Sequence, residues 1–231
     1  MKQTLKNIPN AVTCVNVAAG VLAIISAARG NADMWGLRAY EWAFIFIGIA
    51  AVADFMDGFA ARALHAYSNL GKELDSLCDL VSFGVAPAVL LFRSLEIAET
   101  PDPVKWLAVL IPVCGALRLA KFNIDTRQTT SFIGLPIPAN AIFWVGYVAL
   151  CYSGAKFVTE WYVALVAILA MSLLMLANLP LFSLKFKTWG FRENKWRWIL
   201  VATAVALVAC MGLPGLMWLV IAYVCYGLFA A

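Results

Sequence analysis

Residues 54–79 read DFMDGFAARALHAYSNLGKELDSLCD and carry four aspartates in an otherwise apolar part of the chain. The fixed positions follow the pattern D-x-x-D-G-x-x-A-R-x(8)-G-x-x-x-D-x-x-x-D: Asp54, Asp57, Gly58, Ala61, Arg62, Gly71, Asp75 and Asp79. A carboxylate inside a membrane segment costs at least about 3 kcal/mol unless a counter-charge neutralises it. Four carboxylates in one short stretch therefore predict a shared divalent cation.

The composition of the whole chain is that of a membrane protein. Of its 231 residues, 64% are hydrophobic and 13% are charged, whereas soluble domains have about 25% charged residues. A membrane-spanning helix needs about 20 mainly apolar residues. Six segments approach that length, near residues 8–28, 39–62, 72–93, 104–121, 137–153 and 159–181.

The last apolar stretch, residues 196–231, is divided in the middle. Leu213, Pro214 and Gly215 form a turn signal, which predicts two short helices. We therefore expect an all-α polytopic membrane helix bundle of about eight transmembrane helices. It would form a single integral membrane catalytic domain over residues 1–231, with a six-helix catalytic core at about residues 8–184.

The distribution of lysine and arginine predicts the orientation, because cytoplasmic loops carry the excess of these residues. If both termini are cytoplasmic, all but five of the 17 basic residues fall on the cytoplasmic side. The five are Arg29, Arg38, Arg93, Lys105 and Lys156. A cleaved signal peptide is the rival interpretation of the basic N-terminus. We expect an integral protein of the bacterial inner or plasma membrane, with the aspartate motif facing the cytoplasm.

Helical spacing brings the four aspartates together. Asp54 and Asp57 lie one turn apart near the end of the second predicted span, and Asp75 and Asp79 lie one turn apart near the start of the third. The connector, at about residues 65–70, is short and predicts antiparallel neighbours. At about 1.5 Å per residue, Asp57 and Asp75 lie at similar depth, and so do Asp54 and Asp79. All four carboxylates can then converge on one site.

The chemistry of that site follows from its oxygen ligands. Several carboxylates with room for phosphate suit Mg²⁺ or Mn²⁺, and two ions would balance four carboxylates during phosphoryl displacement. A glycine in a helix costs about 1 kcal/mol, so Gly58 and Gly71 indicate close approach of a ligand or helix. Arg62 could reach a diphosphate at the mouth of the site.

Two other interpretations of the aspartates stay open. They could be solvated helix-end charges paired with Arg62 and Lys72, although two basic residues cannot pair four acids at membrane depth. They could also line the path of a cation transporter. Neither interpretation explains why glycine, alanine and arginine stand at fixed offsets from the acids.

The complete pattern resembles the signature of the CDP-alcohol phosphotransferases, a family of membrane enzymes. The resemblance implies that the metal ligands are Asp54, Asp57 and Asp75, and that Asp79 is the catalytic base with an additional metal contact. It also implies a set of residues bordering the nucleotide and its diphosphate: Thr13, Gly58, Ala61, Arg62 and Gly71. The implied reaction is attack of an alcohol on the lipid-bearing phosphorus, with CMP leaving.

Further stretches resemble the branch of that family that uses serine as the acceptor alcohol. They are NIPN at 7–10 with Thr13, SFGVAP at 82–87, RLAKFN at 118–123, FIGLPIP at 132–138, and LMLAN at 174–178 with SLK at 183–185. This resemblance implies CDP-diacylglycerol and L-serine as substrates, phosphatidylserine as product and a homodimer; no nucleic-acid partner is expected. A phosphatidylglycerophosphate or phosphatidylinositol-type synthase is the alternative within the family.

The carboxylate of serine would need a cation on the cytoplasmic side. Arg118 and Lys121, at the end of the fourth predicted span, are the nearest candidates. Each is equally well explained as an anchor that fixes the orientation of its helix. We therefore expect serine binding at Arg118 or Lys121, with anchoring as the rival role.

Overall fold

The computed structural model of the protein describes residues 2–64, 68–124, 132–181, 190 and 194–230. The first half of the predicted connector at 65–70 and the stretch at 183–185 lie outside the described residues. The α-helices are α1 (Lys2–Arg29), α2 (Ala39–Ala63), α3 (Asn69–Asp79), α4 (Ala86–Ile97), α5 (Asp102–Trp106), α6 (Leu110–Ile124), α7 (Ile137–Tyr152), α8 (Lys156–Thr159), α9 (Trp161–Leu176), α10 (Lys195–Met211) and α11 (Gly215–Ala230).

Four two-residue strands form two small antiparallel pairs. They are β1 (Asp33–Met34), β2 (Leu37–Arg38), β3 (Phe132–Ile133) and β4 (Pro180–Leu181). The pair β1–β2 closes the turn between α1 and α2, and the pair β3–β4 joins the segment before α7 to the segment after α9. The two strand pairs link segments at the ends of helices, and most of the other described residues are helical.

Helices α3 and α4 form one continuous helical segment, Asn69–Ile97, which is interrupted by a turn of π-helix at Leu80–Val85. This wider turn begins directly after Asp79 and packs against α1. A Cβ atom on Gly20 of α1 would lie 2.3 Å from Ser82 Oγ, so only glycine permits this approach. The close contact fixes α1 beside the last aspartate of the motif.

Helix α7 occupies the centre of the bundle. Trp144 and Tyr147 of this helix are almost fully buried, and α7 packs against α4 on one side and α11 on another. Pro138 lies in its first turn, where a missing backbone N–H leaves no hydrogen bond unmade. The core around α7 holds the shorter C-terminal helices against the longer N-terminal ones.

The fold class predicted from the sequence, an all-α polytopic membrane bundle, is confirmed. Four helical segments are long and apolar enough to cross a membrane: Pro9–Arg29, Ala39–Ala63, Asn69–Ile97 and Asp102–Ile124. Helices α7, α9 and α11 are apolar but shorter than 18 residues within the described part of the chain. The count of eight spans therefore stays a prediction.

Candidate active site

Helix α1 organises the site, because it packs against both α2 and α3. A third helix, α1, thus packs against the predicted hairpin of α2 and α3. Thr13, on the buried side of α1, lies beside Asp57 of α2, and its hydroxyl donates to the carbonyl oxygen of Pro9 at 3.0 Å. The N-terminal helix therefore contributes directly to the aspartate site.

Three of the four aspartates form one cluster. Asp54, Asp57 and Asp75 each offer a carboxylate oxygen, and these oxygens lie within 4.8 Å of one another. Asp57 Oδ2 and Asp75 Oδ1 are buried and accept no hydrogen bond from the part of the chain described. Carboxylates crowded in this way repel one another unless a cation lies between them. The cluster can hold a divalent cation.

The fourth aspartate, Asp79, is not part of this carboxylate cluster as it stands in the described residues. It is buried, and its Oδ1 accepts a hydrogen bond of 3.2 Å from Asn16 Nδ2 of α1. Asn16 is fully buried, and its backbone carbonyl accepts a hydrogen bond of 3.0 Å from Ser82 Oγ. Asp79 is therefore oriented by α1 and the π-helix, and it lies beside the cluster, where it interacts electrostatically with Asp54 and Asp75.

A cavity of about 360 Å³ opens beside the carboxylate cluster. All five residues predicted to border a nucleotide line it, together with two of the clustered acids. The lining residues are Pro9, Asn10, Thr13, Asp57, Gly58, Ala61, Arg62, Ser68, Gly71, Lys72 and Asp75. The lining includes two basic residues, Arg62 and Lys72, besides its acids, which suits a metal-bound diphosphate.

The two glycines of the motif have different structural roles. Near Gly58, a Cβ atom would meet only Arg62 Nη1 at 3.6 Å, so the missing side chain leaves open cavity. Near Gly71, a Cβ atom would lie 3.0 Å from Ser68 Oγ and 3.1 Å from Asn10 Oδ1. Ser68 also caps α3, because its hydroxyl accepts a hydrogen bond of 2.9 Å from the backbone N–H of Gly71. Gly58 provides space, and Gly71 permits helix contact.

Polar contacts tie the beginning of α3 to the end of α6. Lys72 Nζ donates to the backbone carbonyl of Asn123 at 2.7 Å, and Asn123 Nδ2 donates to Ser76 Oγ at 3.0 Å. These bonds fix α6 relative to the helix that carries Asp75 and Asp79.

The two candidate serine-binding residues of α6 lie in different environments. Arg118 is 8% exposed and its guanidinium lies 5.1 Å from the ring centroid of Phe122. It is also close enough to Asp79 to interact with it electrostatically. Lys121 is exposed. The structure thus buries Arg118, which interacts electrostatically with Asp79, and leaves Lys121 exposed.

Sequence reasoning missed Asn16 and the lining residues Asn10, Ser68 and Lys72 as members of the site. Asn16 gave a signal, since a buried amide in an apolar span needs a polar partner. Ser68 gave another, because serine three residues before a helical glycine fits a helix N-cap. The sequence does not reveal that α1 packs against both α2 and α3, the helices that carry the aspartates.

The fold and the site define an integral membrane protein with an acidic centre beside a cavity of about 360 Å³. The family described as CDP-alcohol phosphatidyltransferase matches residues 6–182, well over half of the chain, and the protein belongs to that family.

Several relatives are named CDP-diacylglycerol–serine O-phosphatidyltransferase. One from Mycobacterium leprae is 35% identical over 186 residues, which is 77% of this chain and 58% of the relative, so less than two thirds of its length is matched. One from Bacillus subtilis is 44% identical over 131 residues, 57% of this chain and 69% of the relative. One from Mycobacterium tuberculosis is 32% identical over 238 residues, 98% of this chain and 78% of the relative.

Proposed function

We propose that this protein is a CDP-diacylglycerol–serine O-phosphatidyltransferase that makes phosphatidylserine and CMP. One observation carries the proposal: the carboxylate cluster borders a cavity, and Asp79 lies beside the cluster and interacts electrostatically with the buried Arg118. The site would thereby combine room for the nucleotide-lipid, a proton acceptor and a cation that can bind a carboxylate. The names of the relatives support serine as the acceptor.

The carboxylate cluster fits divalent cations. Its two buried oxygens without hydrogen bonds from the described residues are the type of ligand that Mg²⁺ and Mn²⁺ prefer. We assign Asp54, Asp57 and Asp75 as metal ligands for two ions, with an additional contact from Asp79. Bound ions would neutralise the diphosphate and stabilise the departing phosphate oxygen.

The cavity beside the cluster suits the CDP part of the lipid. Its volume of about 360 Å³ lies within the range of small-molecule sites, about 300–1,000 Å³. In this proposal the bordering residues are Thr13, Gly58, Ala61, Arg62 and Gly71. The guanidinium of Arg62 can donate two parallel hydrogen bonds to phosphate oxygens. The acyl chains would reach the site sideways from the bilayer.

Asp79 is the proposed general base. It would take the proton of the serine hydroxyl as the new oxygen–phosphorus bond forms and the bond to CMP breaks. The hydrogen bond from Asn16 leaves Asp79 Oδ2 available for that proton and orients the carboxylate. We therefore regard Asn16 as a positioning residue.

The serine carboxylate would bind at Arg118. A buried guanidinium is a strong partner for a carboxylate, because both are shielded from water. Lys121 was the second candidate and would serve as an anchor at the membrane surface. A phosphate-bearing acceptor would call for more cations around the pocket than Arg118 supplies.

We further propose that residues 1–231 act as one catalytic domain in a bacterial inner membrane, as a homodimer. Both termini and the site would face the cytoplasm. This orientation follows the excess of lysine and arginine on that side. Serine would then enter from the cytoplasm, while CDP-diacylglycerol enters from the adjacent leaflet.

An acceptor competition assay tests the function. Purified protein is incubated with CDP-diacylglycerol, Mg²⁺ or Mn²⁺, and serine, glycerol 3-phosphate or inositol. We expect CMP and phosphatidylserine with serine alone. Product with glycerol 3-phosphate or inositol, and none with serine, would move the protein to another branch of the family. Intact CDP-diacylglycerol together with metal flux in liposomes would support a cation transporter.

Replacement of Arg118 by alanine should raise the KM for serine. A hydrogen bond to a charged group contributes about 1.5–3 kcal/mol, which corresponds to about 10- to 100-fold. The KM for CDP-diacylglycerol should change by less than about threefold, because the cavity does not include Arg118.

Lys121→Ala is the matched comparison on the same helix, and it should change the KM for serine much less. Equal effects of Arg118→Ala on both substrates would indicate general damage. A larger effect of Lys121→Ala would move the carboxylate site to the surface of α6.

Replacement of Gly58 by alanine should weaken CDP-diacylglycerol binding by about tenfold, because the methyl group would occupy space intended for the nucleotide. Gly48→Ala is the matched control on α2, where a Cβ atom meets nothing within 4 Å. Neither variant should be less stable than the wild type, since alanine favours a helix by about 1 kcal/mol over glycine. Equal KM values for CDP-diacylglycerol in the two variants would refute the assignment of Gly58.

A further inference from the structure

Lys72 is a basic residue of the cavity that lies outside the fixed positions of the aspartate motif. It comes from α3, whereas Arg62, the other basic residue of the lining, comes from α2. Lys72 stands three residues before Asp75, so the two share one face of α3. Among the described residues, Lys72 forms no ion pair with an acid, although Asp57 and Asp75 line the same cavity. The acids of the cluster therefore do not use its charge.

The side chain of Lys72 is held by a closed ring of three hydrogen bonds. Lys72 Nζ donates to the backbone carbonyl oxygen of Asn123 at 2.7 Å, and Asn123 Nδ2 donates to Ser76 Oγ at 3.0 Å. Ser76 Oγ in turn donates to the backbone carbonyl oxygen of Lys72 at 3.2 Å. Asn123 thus contacts both the ammonium and the helix turn from which that ammonium extends.

The end of α6 suits a lysine ammonium. Asn123 lies in the last turn of this helix, where backbone carbonyl groups have no partner within the helix and the helix dipole favours a positive charge. Lys72 is exposed, so burial does not force its side chain into one position. Holding a long exposed side chain costs rotational freedom, which the ring of hydrogen bonds offsets. The ring therefore determines where the positive charge lies.

A phosphate group is a ligand that this cation can bind. An ammonium has three N–H donors, and the carbonyl oxygen of Asn123 uses one of them. Lysine is a common phosphate ligand because its ammonium is a compact charge with several donors. A diphosphate carries oxygens on two phosphorus atoms, so cations from two helices, Arg62 and Lys72, can each contact it.

We propose that Lys72 is a ligand for a phosphate group of the nucleotide-lipid, and that Asn123 is the positioning residue that holds Lys72 at the cavity. The inference rests on the proposed function and deepens it. Helix α6 then serves both substrates, because it carries Asn123 on the nucleotide side and Arg118 as the ligand of the acceptor.

The first test is Lys72→Met, which keeps a long side chain and removes the charge. The KM for CDP-diacylglycerol and the Kd for CDP, measured by calorimetry with Mg²⁺, should each rise about 5- to 10-fold, because one charged hydrogen bond at an exposed position is lost. The KM for serine and the kcat at saturating substrates should stay within about twofold of the wild-type values. Lys72→Arg should restore most of the CDP affinity, since it restores the charge.

The matched control is Lys156→Met. Lys156 is exposed, begins α8 and does not line the cavity. This variant should keep the wild-type Kd for CDP and the wild-type KM for CDP-diacylglycerol. An equal rise in Lys72→Met and Lys156→Met would assign the effect to the net charge of the protein and overturn the proposal.

Asn123→Ala tests the positioning role, because it removes the bond to Ser76 and keeps the backbone carbonyl group. Alone, it should raise the Kd for CDP by about threefold; added to Lys72→Met, it should cause no further rise, since it acts through Lys72. Independent effects that multiply in the double variant would mean that Asn123 acts through packing. That result, or an unchanged Kd in Asn123→Ala alone, would refute the positioning role.

The remaining outcomes separate this inference from the proposed function. If wild-type protein releases no CMP with serine, the proposed function fails, and the CDP affinities still decide the role of Lys72. If Lys72→Met keeps the Kd for CDP within about twofold, only the inference fails. It also fails if Lys72→Met and Lys72→Arg are equally impaired and both unfold at a lower temperature, because that result indicates a structural role.

Discussion

Asp79→Asn is expected to abolish turnover while leaving nucleotide binding nearly intact. Asparagine has the shape of aspartate but cannot accept the hydroxyl proton, and general-base catalysis typically contributes about 10²- to 10⁴-fold. Asp79 does not line the cavity assigned to the nucleotide, so CDP affinity should change by less than about threefold. The measurements are CMP release at saturating serine and CDP binding by calorimetry.

A suitable control for Asp79→Asn is Asp33→Asn. The side chain of Asp33 is exposed and pairs with Arg38 at 3.2 Å, far along the chain from the motif. This variant should retain wild-type turnover. If Asp79→Asn also retained it, the general base would have to be another residue.

Asp57→Asn is expected to act first on metal dependence. Asp57 is one of the three clustered carboxylates, and its Oδ2 is buried without a hydrogen bond from the described residues. Loss of a ligand oxygen with its charge should raise the Mg²⁺ or Mn²⁺ concentration for half-maximal activity by at least about tenfold. Excess metal should restore part of the activity, which it should not do for Asp79→Asn.

Thermal unfolding in a chelator separates a ligand from a structural residue. Without metal, the three carboxylates repel one another, and Asp57→Asn removes one of these charges. The midpoint of unfolding in EDTA should therefore be equal to or higher than that of the wild type. Added Mg²⁺ should stabilise the wild type more than the variant. A lower midpoint in EDTA, with unchanged metal dependence, would contradict the ligand role.

The sequence predicted most of the fold class and of the acidic site because both depend on local spacing. The positions of Asp54, Asp57 and Asp75 one turn or one short hairpin apart are enough to bring their oxygens together. The prediction of membrane-spanning helices follows in the same way from long apolar segments. Such features need no knowledge of which distant helices touch.

The rest depends on long-range packing. The hydrogen bond of Asn16 to Asp79 joins α1 to α3, and no local pattern pairs these two residues. Arg118 and Lys121 stand three positions apart on one helix and look equivalent in sequence, but their neighbours bury one and expose the other. The π-helix at Leu80–Val85 leaves the hydropathy pattern unchanged, so composition does not reveal it.

The π-helix at Leu80–Val85 lets α3 and α4, the two parts of one membrane segment, face their neighbours at different rotation angles about the helix axis. An ordinary helix advances about 100° per residue, so rotating one end rotates the other. The extra residue in Leu80–Val85 lets α4 keep the phase that suits its packing while α3 keeps its acids toward α1. Deletion of one residue there would rotate α4 by about 100° relative to α3. Either the packing of α4 or the direction of the acids on α3 would then be lost. Packing changes along α4 can thereby be accommodated without turning the acids of α3 away from α1.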